Sequence, residues 1–360
     1  MKILAIDTSC DETAAAVTEN VKVLSNIIWS QASAHAKFGG VMPSLAQRMH
    51  EERIDFVIEK ALRSAFPKSE HNMYDMIDTN IDAIAVTVGP GLSIALGVGI
   101  DRAKKLAIKY KKPLIPINHV EAHILSSMAI PNSKSSISNA VSNFDLPIYG
   151  LCVSGGNTIF TRIDKIGEYK VLAETQDDAL GEALDKGARM LGLGYPGGAI
   201  LEKMAKLGDS KRFKLPIPLV GQEDRMIFSY SGLKTSFHRL TQANHSKTKQ
   251  EIYDLAAAFQ NVAFKHIERV LSFYFTNNQS STTNNLLFGG GVAANLELRK
   301  RLRKLGDKYN FKLRLPYSKK LLGDNAAMIG VCAYLNYHNQ DLSKFTNIDS
   351  IDRSPNLRIA

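Results

Sequence analysis

His119 and His123 stand four residues apart in His119-Val120-Glu121-Ala122-His123, directly after the apolar, strand-like run Pro113 to Ile117. On a helix starting there, both rings share one face, with Cβ atoms about 5–6 Å apart, so one metal ion can take a nitrogen from each. The zinc-protease pattern places Glu directly after the first His, beside the metal-bound water. Here Glu121 stands two places on, turned about 200° from His119, which argues against peptide hydrolysis by this pair. A third ligand must come from elsewhere. Asp324 is the candidate, an acid in the Gly-flanked turn Leu322-Gly323-Asp324-Asn325 ahead of a predicted helix. Two imidazoles and a carboxylate leave coordination positions open and suit Fe(II) or Zn(II). The plainer alternatives are two unrelated histidines and an aspartate that merely caps its helix.

Positioning these groups requires two lobes, and the chain repeats one plan twice. Ile3 to Val17 reads as strand, small polar turn and strand, and Ile148 to Ile163 repeats this around Ser154-Gly155-Gly156-Asn157. Each unit is followed downstream by a strand, a glycine turn and a long helix. The first half has Ile81 to Val88, Gly89-Pro90-Gly91 and Leu92 to Ile108; the second has Leu286 to Phe288, Gly289-Gly290-Gly291 and Ala293 to Leu305. Such turns let backbone amides approach phosphate oxygens at helix N-termini, although neither carries the Lys-Ser/Thr of a P-loop. The reading is an α/β chain of duplicated lobes with a nucleotide cleft between them, and the fold analogue is the actin, Hsp70 and sugar-kinase superfamily. The expected boundaries are 1–130 for the first lobe, completed by a helix at about 325–340, and 146–324 for the second. Residues 131–145 are expected to form a flexible connection, and 341–360 a weakly structured, non-catalytic tail.

At 360 residues the chain is long enough for two cores. It has no apolar run long enough to span a membrane and no leader-like start, and its three cysteines are odd in number and far apart. These features predict a cytoplasmic protein with reduced thiols and no membrane partner. The net charge of +10 is concentrated in Asp101 to Lys112 and in Leu298 to Arg314. Leu298, Leu302 and Leu305 recur at helical spacing in the second stretch, giving an amphipathic helix whose basic face is either solvated or bound to phosphates. Arg299, Arg301 and Arg303 are expected near the cleft, where they would offset repulsion between anionic ligands.

The ordered motifs resemble those of the bacterial tRNA adenosine threonylcarbamoyltransferase family, once labelled glycoprotease. They comprise Ile6 to Thr13, Gly39 to Pro43, Gly89 to Leu92, His119 to His123, Val153 to Gly156, Tyr195 to Gly198, Ser229 to Thr235, Gly290 to Asn295 and Asp324-Asn325. The resemblance implies transfer of a threonylcarbamoyl group from threonylcarbamoyl-AMP to the exocyclic amine of the adenosine just 3′ of the anticodon, in tRNAs that read codons beginning with A. AMP is released. It implies one divalent metal per chain on His119, His123 and Asp324, iron(II) with zinc as the alternative. It also implies substrate contacts from Cys152, Val153, Ser154, Gly155, Gly156, Asp185, Gly198 and Asn295. Implied partners, besides tRNA, are an adenylate-forming enzyme, a smaller paralogous subunit and a small ATPase. The attacking amine must lose a proton, so Asp11 is the expected acceptor and Glu12 the second choice. Asp11 could instead hold its own turn, and Asp185 could pair with Lys186 at the surface.

Two positions depart from the family pattern: Asn157 stands where His is usual, and Tyr230 where Phe is usual. The first leaves no further imidazole in that loop. The competing readings are a metalloprotease, a kinase or ATPase of the same fold, and a non-catalytic scaffold.

Overall fold

The computed structural model describes residues 1–67, 69, 72–133, 146–243, 248–278, 285–338, 340 and 347–359. The first sheet contains β1 (Lys2–Asp7), β2 (Glu12–Glu19), β3 (Lys22–Ser30), β4 (Ala83–Gly89), β5 (Leu114–Asn118) and β6 (Ile130–Pro131), in the order β5-β4-β1-β2-β3-β6. The second contains β7 (Ile148–Val153), β8 (Thr158–Lys165), β9 (Glu168–Thr175), β10 (Ile227–Phe228), β11 (Asn285–Gly289) and β12 (Lys312–Arg314), in the order β10-β9-β8-β7-β11-β12. The two sheets match strand for strand. β1, β2 and β3 form an antiparallel meander, as do β7, β8 and β9. β4 and β5 add in parallel beside β1, and β11 and β12 do the same beside β7. The duplication expected from the paired hairpins is therefore a property of the fold.

Among the described residues eleven helices are placed around these sheets: α1 (Ala32–Ala36), α2 (Pro43–Ala65), α3 (Met73–Asn80), α4 (Ser93–Tyr110), α5 (His119–Leu125), α6 (Leu180–Met190), α7 (Gly198–Ala205), α8 (Ser231–Ala243), α9 (Lys249–Asn277), α10 (Leu296–Tyr309) and α11 (Ala326–Tyr337). α2, α3 and α4 cover the outer face of the first sheet, and α6 to α10 that of the second. Between the sheets lie α5 and α11, in one apolar cluster that draws on both lobes.

Strand patterning shows why the layers form. β1 is apolar on both faces, sending Leu4 and Ile6 to the outer helices and Ile3 and Ala5 to α11 and α5. β7 divides in the same way, with Tyr149, Leu151 and Val153 facing outward and Ile148 and Cys152 facing the shared middle layer. Central strands buried on both sides read as continuous apolar runs. Gly150 lets α5 come close, because a Cβ there would stand 2.7 Å from Ile124 Cγ2. α11 is apolar nearly all round and almost wholly buried, as a helix enclosed between two sheets must be.

The expected connection at 131–145 falls mostly outside the described residues; Pro131 closes β6. The expectation of a weakly structured tail is corrected for 347–359. This segment is a strap along the first lobe: Ser354 donates to the Val88 carbonyl at 2.7 Å, and Gly91 donates to Pro355 at 3.1 Å. Ile348, Ile351 and Leu357 pack onto the cluster beneath α2 and α4, and Ile359 is 4% exposed. Without helical or strand periodicity, its scattered apolar residues carry no signal that a sequence pattern can register.

His266 on α9 is 2% exposed, and its Nε2 accepts the Ser229 amide at 3.2 Å, a bond that needs the neutral ring. Burial pushes its pKa down to about 4, outweighing the opposing pull of Glu223 and Asp177. A histidine whose folded pKa lies below its unfolded value contributes stability that is complete above about pH 6.5 and is lost as pH falls toward the folded value. Metal-free protein should lose about 2 kcal/mol through this group between pH 7 and pH 5. Urea unfolding of wild type and His266→Gln at both pH values checks this, with the variant expected to show the smaller acid loss.

Candidate functional site

The strand-to-helix junction at Asn118 sets up the site. β5 ends there, and the Asn118 side chain accepts from the Val120 and Glu121 amides at 2.9 and 3.2 Å, capping α5 so that His119 is its first residue. The rings of His119 and His123 then meet edge to face, with centroids 4.5 Å apart. From the other side, the turn before α11 brings in Asp324. Its Oδ1 lies 3.0 Å from His123 Nε2 and 3.4 Å from His119 Nε2, and the three possible ligand atoms lie within 4.8 Å of one another. The capping role passes instead to Asn325, whose side chain accepts from Met328, so Asp324 is free for the histidines.

Burial opposes charge throughout this cluster, and neighbouring charge decides the outcome. His119 is pushed up to about 10 because the Asp324 and Asp7 carboxylates outweigh desolvation. Burial and the charge on His119 together lower His123. The two imidazoles hold Asp324 far below the usual carboxylate range, again against its burial. Asp7, fully buried at the end of β1, places Oδ1 3.7 Å from His119 Nδ1, and neither atom has a hydrogen-bond partner. A carboxylate behind a ligating imidazole orients the ring and keeps its other nitrogen toward the metal. The sequence reading missed Asp7 in this role, although an acid closing a parallel strand at the lip of a cleft is a usable signal. The donor set fits a divalent ion of the borderline class, with three convergent donors and an open side. Glu121 is committed elsewhere, accepting from Tyr169 and Asn336 at 2.8 and 2.7 Å.

A cleft of about 830 Å³ opens between the lobes at this cluster. The turn from Ser9 to Glu12 faces the turn from Ser154 to Asn157 across it, with Pro90 to Leu92, Tyr195, Gly291 and residues 355–359 completing the wall. Ser154 N–H donates to the Asn157 carbonyl at 2.8 Å, which closes the second turn on itself. Gly155 and Gly156 are exposed, and a Cβ built on either would meet nothing within 4 Å, so a ligand can reach their backbone directly. On the first turn, His50 is buried beneath Thr13 and the Cys10 carbonyl, at 2.7 and 3.0 Å, another support the sequence reading missed. Both Asp11 and Glu12 line the cleft. Burial raises Glu12 well above its usual range, reinforced by Asp324 and Asp11, and burial likewise pushes the Cys10 thiol up.

Several expected contacts lie elsewhere. Cys152 and Val153 are fully buried in β7, with side chains directed to the two apolar clusters and not to the cleft. Asn295 caps α10, its side chain accepting from Glu297 and Leu298 and donating to Gln260. Asp185 accepts from the Gly197 and Gly198 amides at 2.9 and 2.7 Å and thereby ties down the loop that presents Tyr195. Its alternative pairing with Lys186 is not formed, because Lys186 binds Asp178 and Glu182. On α10, the expectation of three arginines near the cleft fails for Arg301, which is turned inward to Glu297, Glu268 and Asn261. No lysine or arginine of α10 lines the cleft. Position 301 sits one turn from the buried Leu298 and Leu305, so the helical period carries it toward the core.

Two matched sheets around shared central helices, with a nucleotide-sized cleft where the lobes meet, define the sugar-kinase-like class of two-lobed α/β proteins. The fold resembles that of HypF, whose phosphate- and nucleotide-bound crystal structure aligns with a TM-score of 0.57 at 14% identity, over 94% of this chain and 47% of HypF. This chain thus spans about half of that larger protein. The HypF from T. kodakarensis aligns similarly, with a TM-score of 0.56. The family model described as tRNA N6-adenosine threonylcarbamoyltransferase matches residues 22–331. A protein of that name from Clostridium perfringens (strain SM101 / Type A) is 42% identical over 99% of this chain and 98% of its own length. Another from Endomicrobium trichonymphae is 41% identical over 97% and 96% respectively. The chain belongs to this family of tRNA-modifying transferases. Among the described residues no helix is long and apolar enough to cross a membrane.

The electrostatic coupling in the cluster is directly measurable. In metal-free protein, the His119 imidazole should titrate near 10, and Asp324→Asn should lower it by removing the largest charge that favours its protonation. NMR titration of the ring resonances reads both values.

Proposed function

We propose that the cleft transfers a threonylcarbamoyl group from threonylcarbamoyl-AMP to the exocyclic amine of the adenosine just 3′ of the anticodon. The observation that carries the reading is the convergence of His119, His123 and Asp324 beside a cleft whose opposite wall is the open Ser154 to Gly156 turn. A mixed carbamic–phosphoric anhydride needs its leaving phosphate stabilised, and backbone amides with an adjacent cationic centre supply that. His119, His123 and Asp324 would hold a divalent metal, iron(II) with zinc as the alternative. When bound, it adds Lewis acidity toward the phosphate and carbamoyl oxygens.

The protein's own groups supply the remaining functions. The Gly155 and Gly156 amides receive phosphate oxygens, and the loop that presents Tyr195 to the cleft is held by Asp185 through the Gly197 and Gly198 amides. The adenine nitrogen attacks the carbamoyl carbon, the bond from that carbon to the phosphate oxygen breaks, and AMP departs with the electron pair. The amine proton passes to the Asp11 carboxylate, with Glu12 as the second acceptor. A peptidase would need a general base on the histidine helix, and Glu121 is bonded away from the metal face.

The reading includes partners: an enzyme that makes the adenylate, a smaller paralogous subunit and a small ATPase, acting together in the cytoplasm. Exposed Phe56 on α2 and Ile108 on α4 offer apolar surface on the first lobe for the paralogue.

Mass spectrometry of tRNA nucleosides after incubation with threonine, bicarbonate, ATP and the partner proteins tests the reaction. Threonylcarbamoyladenosine should appear with wild type and fall at least a hundredfold with Asp11→Asn if that carboxylate takes the proton. Elemental analysis should show metal lost from His123→Ala, since two remaining donors bind an open-site ion weakly. Stoichiometric metal in that variant would defeat the ligand assignment. Gly155→Val should fold normally and lose AMP affinity, because its side chain would fill the space open to phosphate.

A further inference from the structure

We propose that Arg358 is a substrate-positioning residue that grips a backbone phosphate of the tRNA anticodon loop at the mouth of the cleft. The inference rests on the transferase reading above. Its starting point is a charge imbalance. Among the described residues, the cleft is lined by Asp11, Glu12, Glu174 and Asp324, while Arg358 is its one guanidinium, no lysine joins it, and the other basic side chain, His119, is already engaged by Asp324 and Asp7. Both substrates of the proposed reaction are anions, and RNA brings a row of phosphates to a cleft whose lining is predominantly acidic. Without a cation there, that encounter is repulsive.

The strap fixes this cation. The Arg358 carbonyl accepts from Asn118 Nδ2 at 3.0 Å, and Asn118 is the residue that caps the histidine helix. On one side Ile359 is buried, and on the other Leu357 packs into the first lobe. Two glycines make room for the strap. Gly89, at φ +156°, lies where a Cβ would stand 1.8 Å from the Ser354 carbonyl oxygen, and a Cβ at Gly97 would stand 3.0 Å from Arg353 Nη1. The backbone of Arg358 is therefore held beside His119, while its side chain remains exposed.

The choice of RNA over the adenylate follows from position. On the proposed reading, the adenylate phosphate already has the glycine-turn amides and the metal ligands deeper in the cleft. An exposed guanidinium on a fixed stem suits the partner that arrives from solvent, and its planar fork matches two phosphate oxygens.

Filter binding of unmodified tRNA across a salt series, with the full chain in its modification complex, tests this, with AMP affinity measured in parallel. Arg358→Ala should weaken tRNA binding on the order of tenfold at low salt. It should also reduce the salt slope by about 0.7 to 0.9, the contribution of one phosphate. KM for tRNA should rise with kcat little changed, and AMP affinity should stay the same. Arg358→Lys should restore the slope and part of the affinity, which a merely structural role would not predict. Unchanged tRNA affinity and slope in a folded, alanine-substituted protein would overturn the proposal. Lost AMP affinity with intact tRNA binding would also overturn it, giving the guanidinium to the adenylate. Both results presuppose an active wild type. A wild type that neither binds tRNA nor transfers would instead overturn the transferase reading, and this inference with it.

Discussion

The contact between the Asp324 carboxylate and the two imidazoles of α5 is the constraint around which the molecule is organised. It joins the turn before α11 to the first turn of α5, the two helices that share the layer between the sheets. Each helix must reach that layer at a fixed height. α5 is set by the Asn118 cap and by Gly289, where a Cβ would stand 1.9 Å from the His123 carbonyl oxygen. α11 is set by the Asn325 cap and by Gly330, where a Cβ would stand 2.6 Å from Thr18 Oγ1. Close approach at each glycine brings helix and sheet together, and the three donors converge as a result.

That convergence places strong opposing charges where two of the three groups are buried and the third opens on the cleft. A half-buried acid against two buried histidines is costly to assemble unless each group is compensated, and His119 and Asp324 compensate each other through their shifted ionisation. Asp7 extends the compensation by one further carboxylate. The cluster is therefore strongly polarised before any ion enters, with negative charge on two sides of one imidazole.

Much of this was legible in the sequence because it rests on local signals. The i, i+4 histidines, the paired hairpins and the glycine turns each define their own geometry, and the structure sets the two imidazoles side by side as their spacing implied, while Asp324 joins them by tertiary packing that no spacing states. What stayed hidden depends on which way a side chain points or on long-range packing. Cys152 and Val153 belong to a motif beside the cleft, yet strand alternation buries both side chains in opposite cores. Asn295 ends a glycine turn that looks like a phosphate loop, but its amide is used as a helix cap. The inward rotation of Arg301 and the docking of the strap depend on tertiary packing, which a single sequence does not state.

The path of the chain has a mechanical consequence. It builds the first sheet, crosses once to build the second, and crosses back between β12 and α11 to finish in the first lobe. Asp324 lies on the return crossing, in the turn before α11, and its carboxylate meets two imidazoles from the layer that both sheets share. A covalent link between the lobes thus carries one of the three donors, so the geometry of the cluster is tied to how the two sheets are held together.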